Sequence, residues 1–272
     1  MDAKLQRRIQ RYGWDRAVDV YEQAWAAQLR PAQQRLLEMA ALQQGERVID
    51  IACGTGLITF PAALSVGAGG HVLATDISAR MVEHVMEEAR ARGLGNVTAE
   101  RLGAEELDDV PEQSLDVALC ALGLMYLPDV AAALSQMHRV LRPGGRAVAA
   151  VWGARARCGW ADIFPIVDAR VQSEVCPMFY RLGTGEALSR AFQSAGFGAI
   201  ACRRLETLLQ YADGTSACEA AFVGGPVALA YSRFTEQVKA EAHQEYLSSL
   251  AAFRQGEGYA VPGEFVIVAG TK

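Results

Sequence analysis

Two acidic residues follow two short apolar segments, and a turn containing glycine lies between them. The first segment, residues 48–56, reads Val-Ile-Asp-Ile-Ala-Cys-Gly-Thr-Gly and places Asp50 shortly before Gly54 and Gly56. Glycines in such a turn let a ligand approach the backbone, because a Cβ would fill the space the ligand needs. Asp76 closes the next apolar segment, 20 residues beyond Gly56, where a carboxylate can accept hydrogen bonds from both hydroxyls of a ribose. This spacing predicts a crevice that binds a nucleoside.

The residues around this turn also indicate which nucleoside binds. A dinucleotide needs a third glycine so that a helix N-terminus can receive the pyrophosphate, and Thr59 occupies that position. The carboxylate of Asp50 would repel a pyrophosphate, whereas it favours an ammonium or sulfonium group. We therefore expect S-adenosylmethionine as the cofactor. An NAD-dependent oxidoreductase is the less favoured alternative.

Alternating strand and helix patterns position this crevice. One helix is predicted to begin after a Ser78 cap, with apolar residues at helical spacing, and another spans about residues 129–141. Strands that alternate with helices are typical of a parallel sheet covered on both faces. The predicted strands are residues 48–51, 72–75, 97–102, 117–120 and 147–151.

The two ends of the chain predict helices before the sheet and a helical cap over it. Val18, Tyr21, Trp25 and Leu29 share one helix face, and Pro31 is expected to open a second helix. After residue 151 the pattern loosens into an aromatic-containing stretch that suits an insertion over the strand ends. Further predicted elements are a helix at 186–195, a strand near 200–211, a helix at 235–254 and a last strand at 262–269. We expect one domain, with N-terminal helices at 1–30, a cofactor-binding core at about 31–153 and cap segments at about 154–181 and 215–255.

Several ordered segments carry a resemblance to a known family. Residues 48–56 and 74–78 resemble the first two motifs of class I S-adenosylmethionine-dependent methyltransferases. With the segments 102–107, 114–120, 123–129, 139–145 and 151–153, the run is similar to the ubiquinone/menaquinone-biosynthesis-like small-molecule methyltransferases. The resemblance covers about residues 14–152, more than half of the chain. It implies an α/β fold: a doubly wound, mostly parallel, seven-stranded Rossmann-like sheet with a final antiparallel hairpin strand and a helical cap.

The resemblance also implies where the cofactor contacts lie. Ala52 replaces the first glycine of the family motif, and Gly103 replaces the aspartate that holds the adenine amino group, a role expected to pass to backbone amides near Ala104 or to Glu105. Tyr21 and Trp25 resemble aromatic residues that cover the cofactor, with core packing as the equal alternative. The predicted contacts are Tyr21, Trp25, Asp50, Ala52, Cys53, Gly54, Gly56, Asp76, Ile77, Met81, Gly103, Ala104, Glu105, Cys120 and Ala121.

Fewer residues in the sequence indicate where the methyl acceptor binds. Methyl transfer from a sulfonium is an in-line displacement, so positioning supplies much of the acceleration and no dedicated catalytic residue is required. His243, in the predicted cap helix, is the candidate general base, against the alternative of a solvated helix position. Tyr126 and Trp152 follow the fourth and fifth strands and are expected to wall the acceptor pocket or to pack in the core. We expect transfer to a carbon, oxygen or nitrogen of a small aromatic or quinone-like metabolite; a noncatalytic S-adenosylmethionine-binding protein is the alternative, since Ala52 and Gly103 depart from the family.

The composition and charge of the chain exclude several classes of binding partner. The 26 Lys and Arg residues are scattered and the net charge is −5, so no nucleic-acid partner is expected. No apolar segment approaches the roughly 20 residues that span a bilayer, so we expect a cytoplasmic protein without a membrane partner. The six cysteines are spread singly, so no metal is expected, and a thiophilic site for arsenite is the rarer alternative. A homodimer is compatible with the sequence.

Overall fold

Strands and helices alternate along the chain in nearly the predicted order. The computed structural model describes residues 3–172, 176 and 178–272; residues 1–2, 173–175 and 177, within the predicted N-terminal helices and first cap segment, lie outside the described residues. The strands are β1 (Arg47–Ile51), β2 (His71–Thr75), β3 (Val97–Glu100), β4 (Leu115–Ala121), β5 (Leu141–Trp152), β6 (Gly198–Tyr211), β7 (Arg254–Gln255) and β8 (Gly258–Thr271). The α-helices are α1 (Ala3–Ala40), α2 (Thr59–Val66), α3 (Ala79–Ala91), α4 (Val130–Val140), α5 (Ile163–Asp168), α6 (Ala187–Ser194), α7 (Gly214–Cys218), α8 (Ala228–Tyr231) and α9 (Glu236–Ser249).

The strands form one mixed sheet in the order β3-β2-β1-β4-β5-β8-β6. Strands β1 to β5 pair in parallel, whereas β8 runs antiparallel between β5 and β6, and the two-residue β7 pairs only with β8. The predicted doubly wound, mostly parallel sheet is confirmed, including its antiparallel last strand. Because β1, β2, β4 and β5 are parallel, their carboxyl ends meet at one edge of the sheet, where the predicted acids stand.

Several strand ends differ from prediction, by six residues at the start of β5 and by four or fewer elsewhere. β3 ends at Glu100, two residues early. β5 begins at Leu141 rather than at residue 147, because Leu141 already pairs with Leu115 before the register shifts across the Pro-Gly-Gly segment. That irregularity lies at the end of the sheet opposite the predicted crevice.

Helix α3 starts after its predicted Ser78 cap, and α4 starts at its predicted position with a cap that the sequence analysis did not name. Ser78 accepts a hydrogen bond from the backbone N–H of Met81 at the start of α3, and Asp129 accepts one from Ala132 at the start of α4. On α3 the most buried side chains are Met81, Val85 and Ala89, which form the face against the sheet. Both helices therefore start beside the crevice.

Ser78 also ties α3 to α1, and replacing it by alanine should destabilise the protein. Its hydroxyl donates a 2.6 Å hydrogen bond to Asp15 while it caps α3. Losing an N-cap costs about 1 kcal/mol, and the partly buried Asp15 contact adds to this, so Ser78→Ala should lower the free energy of unfolding by about 1–2 kcal/mol in urea denaturation. Ser194→Ala, at an exposed position of α6, is the control; equal stability of the two variants would contradict this role.

The predicted break at Pro31 is wrong: α1 is one continuous helix that contains Pro31. Proline removes one helical hydrogen bond, but packing fixes the turns on both sides, where Leu29 and Leu36 are buried. The far end is held by the guanidinium of Arg146, which donates to the carbonyl of Ala40. Tertiary contacts therefore outweigh the local helix-breaking effect of the proline.

The segments predicted as a cap contain short helices. α9 packs against α5 and α7, and it ends at Ser249, earlier than predicted, where residues Ala251–Phe253 form a single 3-10 turn. Residues Glu219–Val223 form a π-helical turn before Gly224. No helix within the described part of the chain combines the length and apolar character that crossing a membrane requires.

Candidate functional site

Asp50, the first acid, is buried near the carboxyl end of β1 with an exposed fraction of 1%. The hydroxyl of Thr59, the first residue of α2, donates a 2.6 Å hydrogen bond to its Oδ2. Burial raises the pKa of Asp50 to about 7, although the Thr59 hydrogen bond opposes the rise. The sequence analysis considered Thr59 only because it replaces a glycine of the dinucleotide motif. The structure shows that its hydroxyl holds Asp50 in place.

The turn after β1 adopts left-handed backbone conformations. The φ angles of Ala52, Gly54 and Gly56 are 55°, 53° and 90°. A Cβ on Gly56 would lie 2.6 Å from the ring of Phe60, so this position requires glycine. Ala52 also has a positive φ, which costs a residue with a Cβ about 1–2 kcal/mol relative to glycine. The turn thus keeps its shape despite the departure from the family motif.

Asp76, the second acid, faces the turn from the end of β2. The backbone N–H of Gly54 donates to its Oδ2 at 3.0 Å, and that of Ser78 donates to its Oδ1 at 2.9 Å. Burial is the main cause that raises the pKa of Asp76 to about 6. An ionised carboxylate has about four acceptor positions, so two remain for a ligand.

The carboxyl ends of the strands open into a cavity of about 1030 Å³, measured out to its mouth. α1 supplies one wall through Arg7, Gln10 and Trp14. A second cavity of about 320 Å³ lies behind the glycine turn and is lined by Asp50 and Cys53. The predicted residues on the larger cavity are Tyr21, Trp25, Ala52, Gly54, Asp76, Ile77, Met81, Gly103, Ala104, Glu105, Ala121, Tyr126 and Trp152.

Three predicted site residues lie off these walls. Gly56 shapes the turn without lining either cavity, and Cys120 is fully buried within β4. His243 lies in α9, where a 2.9 Å hydrogen bond joins its Nε2 to the hydroxyl of Tyr231 and the two rings stack. Burial and the neighbouring Lys239 lower the pKa of His243. The structure therefore places His243 within the cap rather than in the cleft.

Glu105 is already engaged by the protein. Its Oε2 accepts a 2.8 Å hydrogen bond from Arg7, and its Oε1 accepts a 2.9 Å hydrogen bond from the backbone of Asp129. The carboxylate therefore clamps the start of α1 to the start of α4. Glu105 and the backbone near Ala104 were the two groups expected to replace the family aspartate as the partner of the adenine amino group. Because Glu105 is engaged by Arg7 and Asp129, the backbone near Ala104 is better placed for this role.

Tyr21 and Trp25 share a face of α1 but reach different parts of the cavity. A ring carbon of Tyr21 lies 4.0 Å from the point that a Cβ on Gly54 would occupy, so Tyr21 lies over the nucleoside crevice. The indole N–H of Trp25 donates a 3.1 Å hydrogen bond to the carbonyl of Ala220 in the π-helical turn. Trp25 thus packs toward the cap, on the side of Trp152.

Three tryptophan rings line the cavity near the end of β5. The ring centroids of Trp152 and Trp160 are 4.9 Å apart, and Trp25 lies 6.2 and 6.1 Å from them. β5, which ends at Trp152, is three strands from β2, about 14 Å at the usual strand spacing. The sequence analysis did not predict Trp160 as a site residue. The feature that could have indicated it is its position in the aromatic-containing stretch after β5. We call this wall the aromatic lobe, formed by Trp25, Trp152, Trp160, Gly224, Gly225 and Pro226.

The charges of the cavity favour a cation beside an apolar surface. Among the described lining residues, the side chains charged at neutral pH are Arg7, Asp76 and Glu105. Arg7 and Glu105 neutralise each other, which leaves Asp76, with Asp50 in the adjoining cavity. Across the described ranges, no group of three or more His, Cys, Asp or Glu side chains is placed to hold a metal ion.

The part of the chain that contains the crevice matches a known protein family. Residues 48–145 match the family described as Methyltransferase domain. This part of the chain is therefore similar to methyltransferase domains. It contains both acids, the glycine turn and Glu105, whereas α1 and the aromatic lobe lie outside it.

Curated methyltransferases are similar to about half of this chain or less. Nocamycin O-methyltransferase of Saccharothrix syringae is 37% identical over 133 residues, which cover 49% of this chain and 47% of that protein. The ubiquinone/menaquinone biosynthesis C-methyltransferase of Proteus mirabilis is 38% identical over 111 residues, covering 40% and 44%. The chain thus spans about half the length of the curated relatives it matches. The structure of phosphoethanolamine N-methyltransferase 2 from Haemonchus contortus, 17% identical, superposes with a TM-score of 0.62 over 95% of this chain and 57% of that one, which shows a shared fold.

Proposed function

We propose that this protein binds S-adenosylmethionine and transfers its methyl group to a carbon, oxygen or nitrogen of a small aromatic or quinone-like molecule. The observation that carries the proposal is the pair of buried acids, Asp50 and Asp76, on either side of the left-handed glycine turn. When bound, the cofactor supplies a methyl group on a positively charged sulfonium. The carboxylate of Asp50 then faces the cationic amino acid portion, and that of Asp76 binds the ribose hydroxyls.

The nucleoside end of the cavity has room for a flat base. A Cβ on Gly103 would meet no heavy atom within 4 Å, so open space adjoins this residue. Ile77, Met81 and Leu102 line the same cavity with apolar surface. We assign this space to the adenine ring, with the backbone near Ala104 as its polar partner. Cofactor contacts by Cys53 and Ala121, which line the two cavities, are retained as part of this proposal, whereas Cys120 lies behind the walls.

The aromatic lobe supports a ring-containing acceptor. Flat rings pack well against tryptophan faces, and apolar walls exclude water from the reacting groups. Relatives named for nocamycin and for ubiquinone or menaquinone biosynthesis support the same substrate class. In this proposal the cavity positions the acceptor in line with the methyl group, with Tyr126 and Trp152 as walls and without His243 as a base. The proposal retains the cytoplasmic location and the absence of a nucleic-acid partner predicted from the sequence.

A noncatalytic S-adenosylmethionine-binding protein is the second candidate. No histidine stands among the described residues that line the cavity, and its buried tyrosines have pKa values raised above their usual range. The carboxylates on the wall are Asp76, assigned to the ribose, and Glu105, paired with Arg7, so an acceptor that must be deprotonated would find no further base among the described residues there. The two candidates differ in turnover and agree in cofactor binding.

Isotope transfer separates these two functions. The protein is incubated with methyl-labelled S-adenosylmethionine and with a reduced naphthoquinone, a hydroxyanthraquinone, an aliphatic amine and an aliphatic acid. We expect label in one of the two ring compounds, and none in the aliphatic compounds, because only flat rings fill the aromatic lobe. Tight binding of S-adenosylhomocysteine with no labelled product from any acceptor would favour the noncatalytic protein. A labelled aliphatic product alone would contradict the proposed acceptor class.

A further inference from the structure

Two tryptophans of the aromatic lobe differ in what their indole N–H groups contact. The N–H of Trp25 donates to the carbonyl of Ala220 at 3.1 Å. The π-helical turn makes this carbonyl available, because the N–H of Gly224 bonds to Glu219 instead, at 3.1 Å. The N–H of Trp160, by contrast, is buried and has no hydrogen-bond partner among the described residues.

Ring packing holds Trp160 in this orientation. Its exposed fraction is 2%, and its ring lies edge-on to those of Trp152, at 4.9 Å, and Phe179, at 5.6 Å with planes at 88°. An indole confined in this way cannot rotate freely toward another protein acceptor. A buried donor without a partner costs about 1–3 kcal/mol, which is why most such groups bond to protein, water or ligand.

We propose that the indole N–H of Trp160 donates a hydrogen bond to a ring carbonyl or phenolic oxygen of a flat, uncharged ligand in the aromatic lobe. The donor is neutral and the neighbouring rings are uncharged, so the lobe offers nothing to offset the burial of an ionic group. A carbonyl on a planar ring meets both needs, because its face packs on indole and its edge accepts a hydrogen bond. Assigning this ligand as the methyl acceptor rests on the proposed function; the hydrogen bond itself does not.

A matched pair of ligands tests this hydrogen bond. Fluorenone and fluorene share one flat shape and differ in a carbonyl group against a methylene group. Their affinities are measured by equilibrium dialysis with S-adenosylhomocysteine present, for the wild type, Trp160→Phe and Trp25→Phe. We expect fluorenone to bind the wild type about tenfold more tightly than fluorene, the value of one buried hydrogen bond. In Trp160→Phe the ratio should fall to about one while fluorene binding stays within about twofold.

Trp25→Phe is the control, because it removes an indole N–H from the same ring cluster that is already bonded to Ala220. It should weaken both ligands alike and preserve their ratio. Should Trp160→Phe fail to fold, the isotope-labelled indole signals of the four tryptophans in the wild type give a second measurement. Fluorenone, but not fluorene, should then shift a signal that Trp14→Phe, Trp25→Phe and Trp152→Phe each leave in place.

The outcomes also separate this proposal from the proposed function. Equal binding of the two ligands, no binding of either, or a preference that survives Trp160→Phe would overturn the hydrogen bond. A carbonyl preference that depends on Trp160 in a protein that does not bind S-adenosylhomocysteine would support the hydrogen bond and refute the cofactor assignment.

Discussion

Asp76→Ala should lower the affinity for S-adenosylhomocysteine by at least about 100-fold, measured by isothermal titration calorimetry near pH 7.5. The carboxylate has two acceptor positions left after its bonds to Gly54 and Ser78, enough for both ribose hydroxyls. Hydrogen bonds to a charged group contribute about 1.5–3 kcal/mol each, and 1.4 kcal/mol is a factor of ten in affinity. Two such bonds therefore give the expected loss.

The same substitution has a structural effect that a control must separate. Alanine leaves the N–H groups of Gly54 and Ser78 without their carboxylate partner, so the turn should loosen and the melting temperature should fall modestly. Asp109→Ala removes an exposed carboxylate elsewhere and should change neither property. If Asp76→Ala kept affinity within about threefold of the wild type while folded, the ribose assignment would be wrong.

Asp50→Asn should have the second-largest effect, a loss of pH-dependent cofactor binding. The pKa of Asp50 is about 7 in the free protein, and a bound ammonium group should lower it, so binding releases a proton below that pH. Affinity in the wild type should therefore rise by up to about tenfold per unit between about pH 5.5 and pH 7. Asparagine should remove the part of this rise near pH 7, leave the part near pH 6 that follows the pKa of Asp76, and weaken binding at about pH 7.5 by roughly tenfold or more.

Stability should respond to the same substitution with the opposite sign. Because the folded-state pKa of Asp50 lies above its unfolded value of 3.8, the free protein binds the extra proton and loses stability as pH rises toward 7. The side-chain amide that Asp50→Asn introduces stays neutral at every pH in this range, and its oxygen can still accept a hydrogen bond from Thr59. The free variant should therefore be more stable than the wild type at about pH 8, by about 1–3 kcal/mol in urea denaturation.

Thr59→Val provides the matched test of this titration. The Thr59 hydroxyl lowers the pKa of Asp50, so its removal should move the pH midpoint of cofactor binding upward. An unchanged midpoint in Thr59→Val, or wild-type pH dependence in Asp50→Asn, would show that another group titrates.

The nucleoside crevice could be predicted because its parts are close in sequence. Asp50, the glycine turn and Asp76 belong to consecutive β-α units, and parallel pairing of β1 with β2 brings their ends together. The helix cap at Ser78 could be predicted for the same reason, since it acts on the next turn of its own chain. The mostly parallel sheet with an antiparallel last strand, by contrast, was expected from the family resemblance and is confirmed by the structure.

The parts that depend on distant contacts were harder to foresee. The continuity of α1 through Pro31 depends on packing against the sheet, which local helix rules do not include. The engagement of Glu105 depends on Arg7, 98 residues away, and the different placements of Tyr21 and Trp25 depend on the cap carbonyl of Ala220. Trp160 looked like one aromatic residue among several until the fold brought it to the cavity wall.

Calorimetric titration of the wild-type protein with S-adenosylhomocysteine and, separately, with NAD tests the central claim most directly. The account predicts saturable binding of S-adenosylhomocysteine at one site per chain and no binding of NAD, because Asp50 opposes a pyrophosphate and Thr59 stands where a third glycine would be needed. Binding of NAD, or no binding of S-adenosylhomocysteine, would contradict it.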